Sequence, residues 1–397
     1  MGIMRRCGRG DCDLARRRAE GGAVRVLTAR ACGSSRSRCG KVANPGSFPA
    51  LAAPHTMTPP FSHRFAFAFY AFAFSAIALA MPCRAQSPPE PAHDTATPDR
   101  RIAVTIDDLP WQRIAKTAPE ALAARHAALL EQLRQGGVPV VGFVNEDKLE
   151  LDDSVQPERL AMLNAWLDAG YDLGNHTYGH VDLHEVGIPA YEQAIVRGER
   201  ALRPMLAARG KTPQWFRHPY LRAGRTPEDK AAVAKFLAEH GYRIAPVTVD
   251  NGEWVWAFAY ERVLDGQADT PERAALLERL RLGYVPYMLN KIDYYERQSQ
   301  ALLGYNLPHI LLLHANALNG DAYAALIRGI ERRGYRFVTL EEAMRDPAYA
   351  REDGYRGRYG PSWLHRWAMA EKKPKEFYDG EPTVPRWVLD LAGVDSE

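Results

Sequence analysis

The sequence predicts an α/β fold built on a parallel sheet or barrel, with a secretion signal in front of it. From residue 101 onward, short β-branched apolar runs alternate with longer helical patterns, and glycines stand where helices would end. Such alternation is typical of a parallel sheet. A long uncharged apolar stretch precedes this region, so the folded part is expected to begin after it.

Seven runs have the composition of strands, and five segments between them have a helical pattern. The predicted strands cover residues 102–106, 138–144, 171–174, 215–217, 242–249, 310–313 and 335–339. The predicted helices cover residues 119–135, 157–169, 190–208, 227–240 and 321–333. Two further helical segments, 271–282 and 284–303, follow one another without a strand, which indicates a helical insertion over about 251–308. Residues 346–397 read as a C-terminal extension packed along the domain surface.

The N-terminal region has the order of a signal peptide. His63 and Arg64 precede an uncharged run over residues 65–80, and small residues at Cys83 and Ala85 suit cleavage before Gln86. We therefore expect residues 57–85 to be a signal peptide, residues 86–100 a Pro-rich linker and residues 1–56 a mis-annotated or disordered extension. The apolar run is shorter than the roughly 20 residues of a spanning helix, although an uncleaved anchor is an alternative. A secreted or periplasmic protein without stable membrane insertion is predicted.

The charge and the cysteines are concentrated in this leader. Residues 1–85 carry thirteen Lys or Arg against three Asp or Glu, so removing their +10 from the formal +3 leaves −7 for residues 86–397. The basic balance is therefore no sign of nucleic-acid binding. All five cysteines also lie before residue 86, so the mature body would have neither disulfides nor thiolate metal ligands.

Polar side chains follow several predicted strands, at the edge where parallel β/α folds place their sites. Asp107 and Asp108 follow the first strand, where one carboxylate could bind a cation and the other could take a proton. His176 and His180 have the i, i+4 spacing that lets two imidazoles reach one metal from a helical turn. His184 follows His180 by another four residues, so a site with three histidine ligands is also possible.

Three later strands deliver further groups. Arg217 ends one apolar strand just before His218-Pro219-Tyr220, and His314 ends the continuous apolar strand 310–313. Asp250 follows the strand 242–249, four residues before Trp254. Each of these signals is modest when it is taken alone, because carboxylates, arginines and histidines are common at strand ends without any function.

In this order the motifs resemble those of the polysaccharide deacetylase family, also called carbohydrate esterase family 4 or the NodB-homology domain. The resemblance covers about residues 101–345. It implies a distorted (β/α) barrel of about seven strands, a divalent metal such as Zn²⁺ or Co²⁺, and removal of acetyl groups from a polysaccharide or oligosaccharide.

The resemblance also implies roles for individual residues. Asp107 would match the general base, and Asp108, His176 and His180 the metal ligands. Arg217 would orient the base and His314 would be the general acid, with Asp250 as the carboxylate that tunes this histidine. In this sequence Glu253 precedes Trp254 where a second aspartate is common in the family. The alternatives are a metal hydrolase acting on another amide and a carbohydrate-binding protein that has lost catalysis.

Overall fold

The computed structural model describes residues 99–266 and 268–397. The predicted N-terminal extension and signal peptide, and nearly all of the predicted linker, lie outside these residues. Within the described ranges, no helix combines the length and the apolar character of a membrane span.

The strands form one large parallel sheet and a small hairpin. They are β1 (Arg101–Leu109), β2 (Val140–Val144), β3 (Glu150–Leu151), β4 (Ser154–Val155), β5 (Asp172–Asn175), β6 (Trp215–Phe216), β7 (Arg243–Ile244), β8 (His309–His314) and β9 (Arg336–Phe337). The sheet runs in the order β7-β6-β5-β2-β1-β8, with β9 also paired to β1, and all its pairings are parallel. The hairpin joins β3 and β4. All seven predicted strands are confirmed, although several are shorter than the sequence suggested.

The sheet curls back on itself beyond β7. Val249 forms a parallel bridge with Leu311 of β8, so the chain that leaves one edge of the sheet returns to the other edge. Seven strands in this curled parallel arrangement, with helices outside, confirm the predicted distorted (β/α) barrel. Residues 102–107 are all buried, as expected for a strand covered on both faces.

The main helices follow the strands that they cover. They are α1 (Pro119–Gly136), α2 (Pro157–Asp168), α3 (Leu183–Val186), α4 (Ile188–Arg197), α5 (Leu202–Ala207), α6 (Pro227–Glu239), α7 (Glu253–Gly266), α8 (Pro271–Leu303), α9 (Ala317–Glu331), α10 (Leu340–Ala343), α11 (Trp363–Ala370) and α12 (Arg386–Ala392). Proline in the first turn and an N-cap threonine, as at Thr226-Pro227, fix several of the starts.

Three of the predicted helical segments were wrong in extent. The segment predicted as one helix over 190–208 is divided into α4 and α5, which are separated by turns around Gly198. The two segments predicted over 271–303 are one continuous helix of 33 residues, with Pro286 inside it. The first turn of α7 is the part of the insertion that reaches the carboxyl end of the sheet, where it places a charged side chain.

Candidate active site

The curled sheet brings the predicted polar groups to one edge. Asp107 of β1 and His314 of β8 are direct partners in the parallel register, and His176 and Arg217 follow β5 and β6 by one residue. The pairing of β1 with β2 is irregular between Ile106 and Leu109. Because Asp108 in this irregular stretch has a positive φ of 69°, the two adjacent carboxylates diverge and reach different partners.

Asp108, His176 and His180 form the only group of this kind that could hold a metal ion within residues 99–266 and 268–397. One ligand atom from each lies within 4.8 Å of the others. His176 Nδ1 donates a hydrogen bond to the Arg217 carbonyl at 2.8 Å, which leaves Nε2 free to bind a cation. Burial lowers the pKa of both histidines, so both rings are neutral and keep a lone pair.

The environment of Asp108 also fits a cation. Its Oδ1 is buried and accepts no hydrogen bond within the described part of the chain, although Lys148 Nζ lies 3.0 Å away. Burial alone would raise the pKa of Asp108, but Lys148 and the histidines lower it far below the ordinary range. An ionised carboxylate beside two neutral imidazoles is a common ligand set for a catalytic divalent metal that keeps an open position.

The predicted helical turn between His176 and His180 was wrong. Thr177, Gly179 and His180 all have positive φ angles, so the chain turns irregularly. The turn still brings the two rings together, with centroids 4.9 Å apart. His184 lies outside the group, because its Nδ1 donates to the Arg358 carbonyl and its Nε2 accepts from the Gly224 amide, both at 3.2 Å.

Asp107 is buried against the guanidinium of Arg217. Nη1 of Arg217 lies 3.3 Å from both carboxylate oxygens, and the other nitrogens bond to Thr105 Oγ1 and the Ala245 carbonyl. All three guanidinium nitrogens of Arg217 therefore have a partner, and Arg217 fixes the position of the Asp107 carboxylate. Burial raises the pKa of Asp107 to about 6 even though Arg217 opposes the change. A carboxylate with such a pKa is ionised at neutral pH and is still able to accept a proton.

His314 is paired with Glu253 and not with Asp250. Its Nδ1 lies 2.6 Å from Glu253 Oε2, and Glu253 is fully buried at the start of α7. Oε1 of Glu253 accepts from the side-chain amides of Asn316 and Asn319, at 2.6 and 2.7 Å. Burial would lower the pKa of His314, but the charge and hydrogen bond of Glu253, together with the charges of Asp108 and Asp107, raise this pKa to about 9.

The assignment of Asp250 as the tuning carboxylate is therefore corrected. Its Oδ1 accepts from the Asn251 amide at 2.9 Å, and no hydrogen bond or ion pair joins it to His314 within residues 99–266 and 268–397. Burial raises the pKa of Asp250 to about 6. The extra length of Glu253, together with its place at the N-terminus of α7, brings a carboxylate to His314 that Asp250 does not provide.

Sequence comparison agrees with this geometry. A family model described as Polysaccharide deacetylase matches residues 94–245. This part of the chain is similar to the polysaccharide deacetylase family. The match includes Asp107, Asp108, His176, His180 and Arg217, whereas Glu253 and His314 lie beyond its end.

The similarity to an individual relative is distant. A peptidoglycan-N-acetylglucosamine deacetylase from Bacillus cereus is 27% identical over 126 residues, which are 32% of this chain and 40% of the relative. The chain thus spans less than half the length of that protein.

Solved structures similar to this chain are also remote in sequence. The chitin deacetylase from Colletotrichum lindemuthianum is 23% identical, with a TM-score of 0.40 over 62% of this chain and 88% of its own. The family 4 carbohydrate esterase from Streptomyces lividans is 18% identical, with a TM-score of 0.37 over 62% and 96%. A CE4 family pseudoenzyme from Bacillus anthracis is 16% identical, with a TM-score of 0.39 over 62% and 66%.

The site opens into a cavity of about 440 Å³. Asp107, Asp108, His176, His180 and His314 line it. The lining also includes Tyr220 and Leu221 after β6, Trp254 and Phe258 of α7, and Gly360 of the C-terminal extension. Sequence reasoning missed Glu253, Lys148 and Gly360. For Glu253 alone there was a signal, since it stands next to Trp254 directly after a predicted strand.

Proposed function

We propose that this protein is an exported, metal-dependent deacetylase that hydrolyses N- or O-acetyl groups of a carbohydrate. The main support for the proposal is that three kinds of functional group lie together at one cavity. These are a ligand set for a cation, a carboxylate suited to accept a proton, and a histidine suited to give one. The family of residues 94–245 supports acetyl groups on sugars as the class of substrate.

Zn²⁺ is the proposed cation, with Co²⁺ as another divalent ion that suits the same donors. Asp108, His176 and His180 would hold it. A divalent cation there would polarise the acetyl carbonyl and acidify a water molecule. Lys148, with its ammonium group 3.0 Å from Asp108 Oδ1, keeps the carboxylate ionised and in place.

Asp107 is the proposed general base. Its carboxylate accepts a proton from the attacking water, whose oxygen forms the new bond to the acetyl carbon. Arg217 holds this carboxylate through two contacts of 3.3 Å and is itself tied to the Ala245 carbonyl at 2.7 Å. The base therefore needs little reorganisation when the proton moves.

His314 is the proposed general acid. Because Nδ1 is taken by Glu253, Nε2 is the nitrogen that can donate to the leaving group. The C–N or C–O bond of the acetyl group breaks, and the proton from Nε2 goes to the departing amine or alcohol. With a pKa of about 9, His314 carries this proton at neutral pH.

A backbone N–H near Tyr220 is the proposed partner of the developing oxyanion. Tyr220 follows Arg217 by three residues, and its ring lies 4.4 Å from that of His180, so its backbone stands beside the proposed ligands. Preorganised amides at such a position typically contribute a factor of about 10²–10³ to kcat.

Export is proposed from the signal-peptide pattern of residues 57–85. The mature protein purified from its host should begin at or close to Gln86, which N-terminal sequencing would determine. A mature chain that retained residues 1–56 would contradict this part of the proposal.

Acetate release is the test of the activity. Purified protein loaded with Zn²⁺ would be assayed on N-acetylated chito-oligosaccharides and on O-acetylated xylan, with Asp107→Asn as the inactive control. Release from at least one class by the wild type alone supports the proposal. Zinc binding with hydrolysis only of amides outside sugars would favour another metal hydrolase, and glycan binding without hydrolysis would favour a non-catalytic protein.

A further inference from the structure

The C-terminal extension lies against the turn that carries Tyr220. This turn, Pro219–Leu221, is called here the Tyr220 turn. Gly360 approaches it so closely that a Cβ atom on Gly360 would overlap the Tyr220 carbonyl oxygen and lie 2.8 Å from the Leu221 carbonyl carbon. Both obstacles are backbone atoms, so a side chain at residue 360 would be accommodated only by displacement of the turn or of the extension.

Arg366 joins the same two segments through hydrogen bonds. It is 1% exposed, and its Nη2 donates to the Leu221 carbonyl. Its Nη1 lies 2.7 Å from Asp353 Oδ2 and its Nε donates to the Pro361 carbonyl at 3.0 Å. One side chain therefore connects the Tyr220 turn to two points of the extension.

His184 makes a third connection nearby. Its Nδ1 donates to the Arg358 carbonyl, while its Nε2 accepts from the amide of Gly224, three residues after Leu221. The extension is thus fastened to the loop after β6 on both sides of Gly360.

The Tyr220 turn has a backbone that needs such support. Tyr220 and Leu221 have φ angles of 56° and 54°, in the left-handed region that non-glycine residues rarely adopt. Two consecutive residues keep this conformation only when their surroundings hold them. Gly360 and Arg366 of the extension contact this turn directly.

We propose that the C-terminal extension is part of the catalytic apparatus, with Gly360 and Arg366 as positioning residues for the Tyr220 turn. They act through the turn, which presents the backbone proposed to stabilise the oxyanion, and this role therefore rests on the proposed function. The extension lies wholly outside the residues that match the deacetylase family, 94–245.

Gly360→Ala is the first test, with Gly266→Ala as the matched control. Gly266 is exposed at the end of α7, where a Cβ meets nothing within 4 Å. Displacement of the turn should lower kcat of Gly360→Ala by about 10- to 100-fold, because misplacement by about 1 Å can cost 10²-fold. KM and bound zinc per chain should change little. A kcat within twofold of the wild type would overturn the proposal.

Hydrogen exchange supplies a readout that does not need activity. The amides of Leu221 and Arg222 donate to the His218 and Pro219 carbonyls within the turn, so their exchange reports its order. Exchange in a peptide covering residues 218–224 should be faster in Gly360→Ala and unchanged in Gly266→Ala. Unchanged exchange in both would refute the positioning role. Faster exchange in a protein whose wild type releases no acetate would refute the proposed function and leave the support of the turn intact.

Asp353→Asn covers the case in which Gly360→Ala does not fold. It keeps the shape of the side chain but weakens the anchor that holds Arg366 on the Leu221 carbonyl. We expect the same changes as in Gly360→Ala, but smaller ones. The kcat should fall severalfold, KM should stay the same, and hydrogen exchange in residues 218–224 should be faster. Wild-type values for both kcat and exchange would count against the proposal.

Discussion

Replacing Glu253 by Gln should convert His314 from a protonated acid to a neutral ring at neutral pH. In the wild type, Oε1 of Glu253 accepts from two asparagine amides and Oε2 faces His314 Nδ1. In the variant, the amide oxygen would keep the asparagine contacts and the NH₂ group would point at Nδ1. A donor at that place stabilises the neutral imidazole, which accepts there, and removes the charge that raised the pKa of His314.

The size of the effect follows from the two pKa values. With a pKa of about 9, His314 is about 97% protonated at pH 7.5. Without the Glu253 carboxylate, burial would be opposed only by the charges of Asp108 and Asp107. We expect the pKa to fall to about the ordinary 6.5, at which about 9% of the molecules would be protonated at this pH. The kcat of Glu253→Gln at pH 7.5 should therefore be about tenfold lower.

The pH dependence of kcat is the assay that isolates this cause. The basic limb of the profile should move from about pH 9 towards about pH 6.5 in Glu253→Gln, and the ratio of the wild-type kcat to the variant kcat should shrink as the pH falls. Asp250→Asn is the control, because Asp250 does not contact His314 and its replacement should leave the basic limb in place. A limb that stays near pH 9 in Glu253→Gln, or that moves in Asp250→Asn, would refute the assignment.

Three further predictions concern the metal group and the base. Asp107→Asn should keep bound zinc and lose about 10²–10⁴-fold in kcat, whereas Asp108→Asn should lose zinc affinity in a chelator competition; the reverse pattern would exchange their roles. His176→Ala should bind no stoichiometric zinc by elemental analysis, while His184→Ala should bind one per chain, since His184 bonds only to backbone groups. Arg217→Gln should raise the pKa of Asp107 above about 6 and so move the acidic limb of the kcat profile to higher pH. It should also lower the free energy of unfolding, measured in denaturant titrations, by about 3 kcal/mol. An acidic limb that does not move would contradict the proposed role of Arg217 in keeping Asp107 ionised.

The strands and the strand-end groups could be predicted because their signals are local. A buried parallel strand is a continuous apolar run, and the polar residue that ends it must lie at the carboxyl edge of the sheet. Asp107, Arg217 and His314 were found in this way. Asp107 and His314 line one cavity, and Arg217 contacts Asp107. The residue that pairs with His314 was assigned wrongly, because spacing along the chain does not tell which of two acids reaches a side chain on another strand.

Contacts between segments that are distant in the chain could not be predicted from the sequence. The approach of Gly360 to the Tyr220 turn joins residues about 140 positions apart, and nothing in the composition of residues 346–397 marks it. The turn between His176 and His180 was also misread, since the i, i+4 spacing suits a helix and the positive φ angles depend on tertiary contacts. The helix over Pro271–Leu303 was predicted as two segments divided at Gly283, because glycine disfavours a helix interior, but the helix continues through this residue.

The most direct test of the central claim is a metal titration followed by acetate release on the same sample. Protein stripped of metal would be titrated with Zn²⁺, and bound metal and acetate release from an acetylated chito-oligosaccharide would be measured at each step. The account predicts that activity rises in proportion to bound zinc up to one ion per chain and that His176→Ala shows neither. Acetate release that is independent of metal, or full zinc binding by His176→Ala, would contradict it.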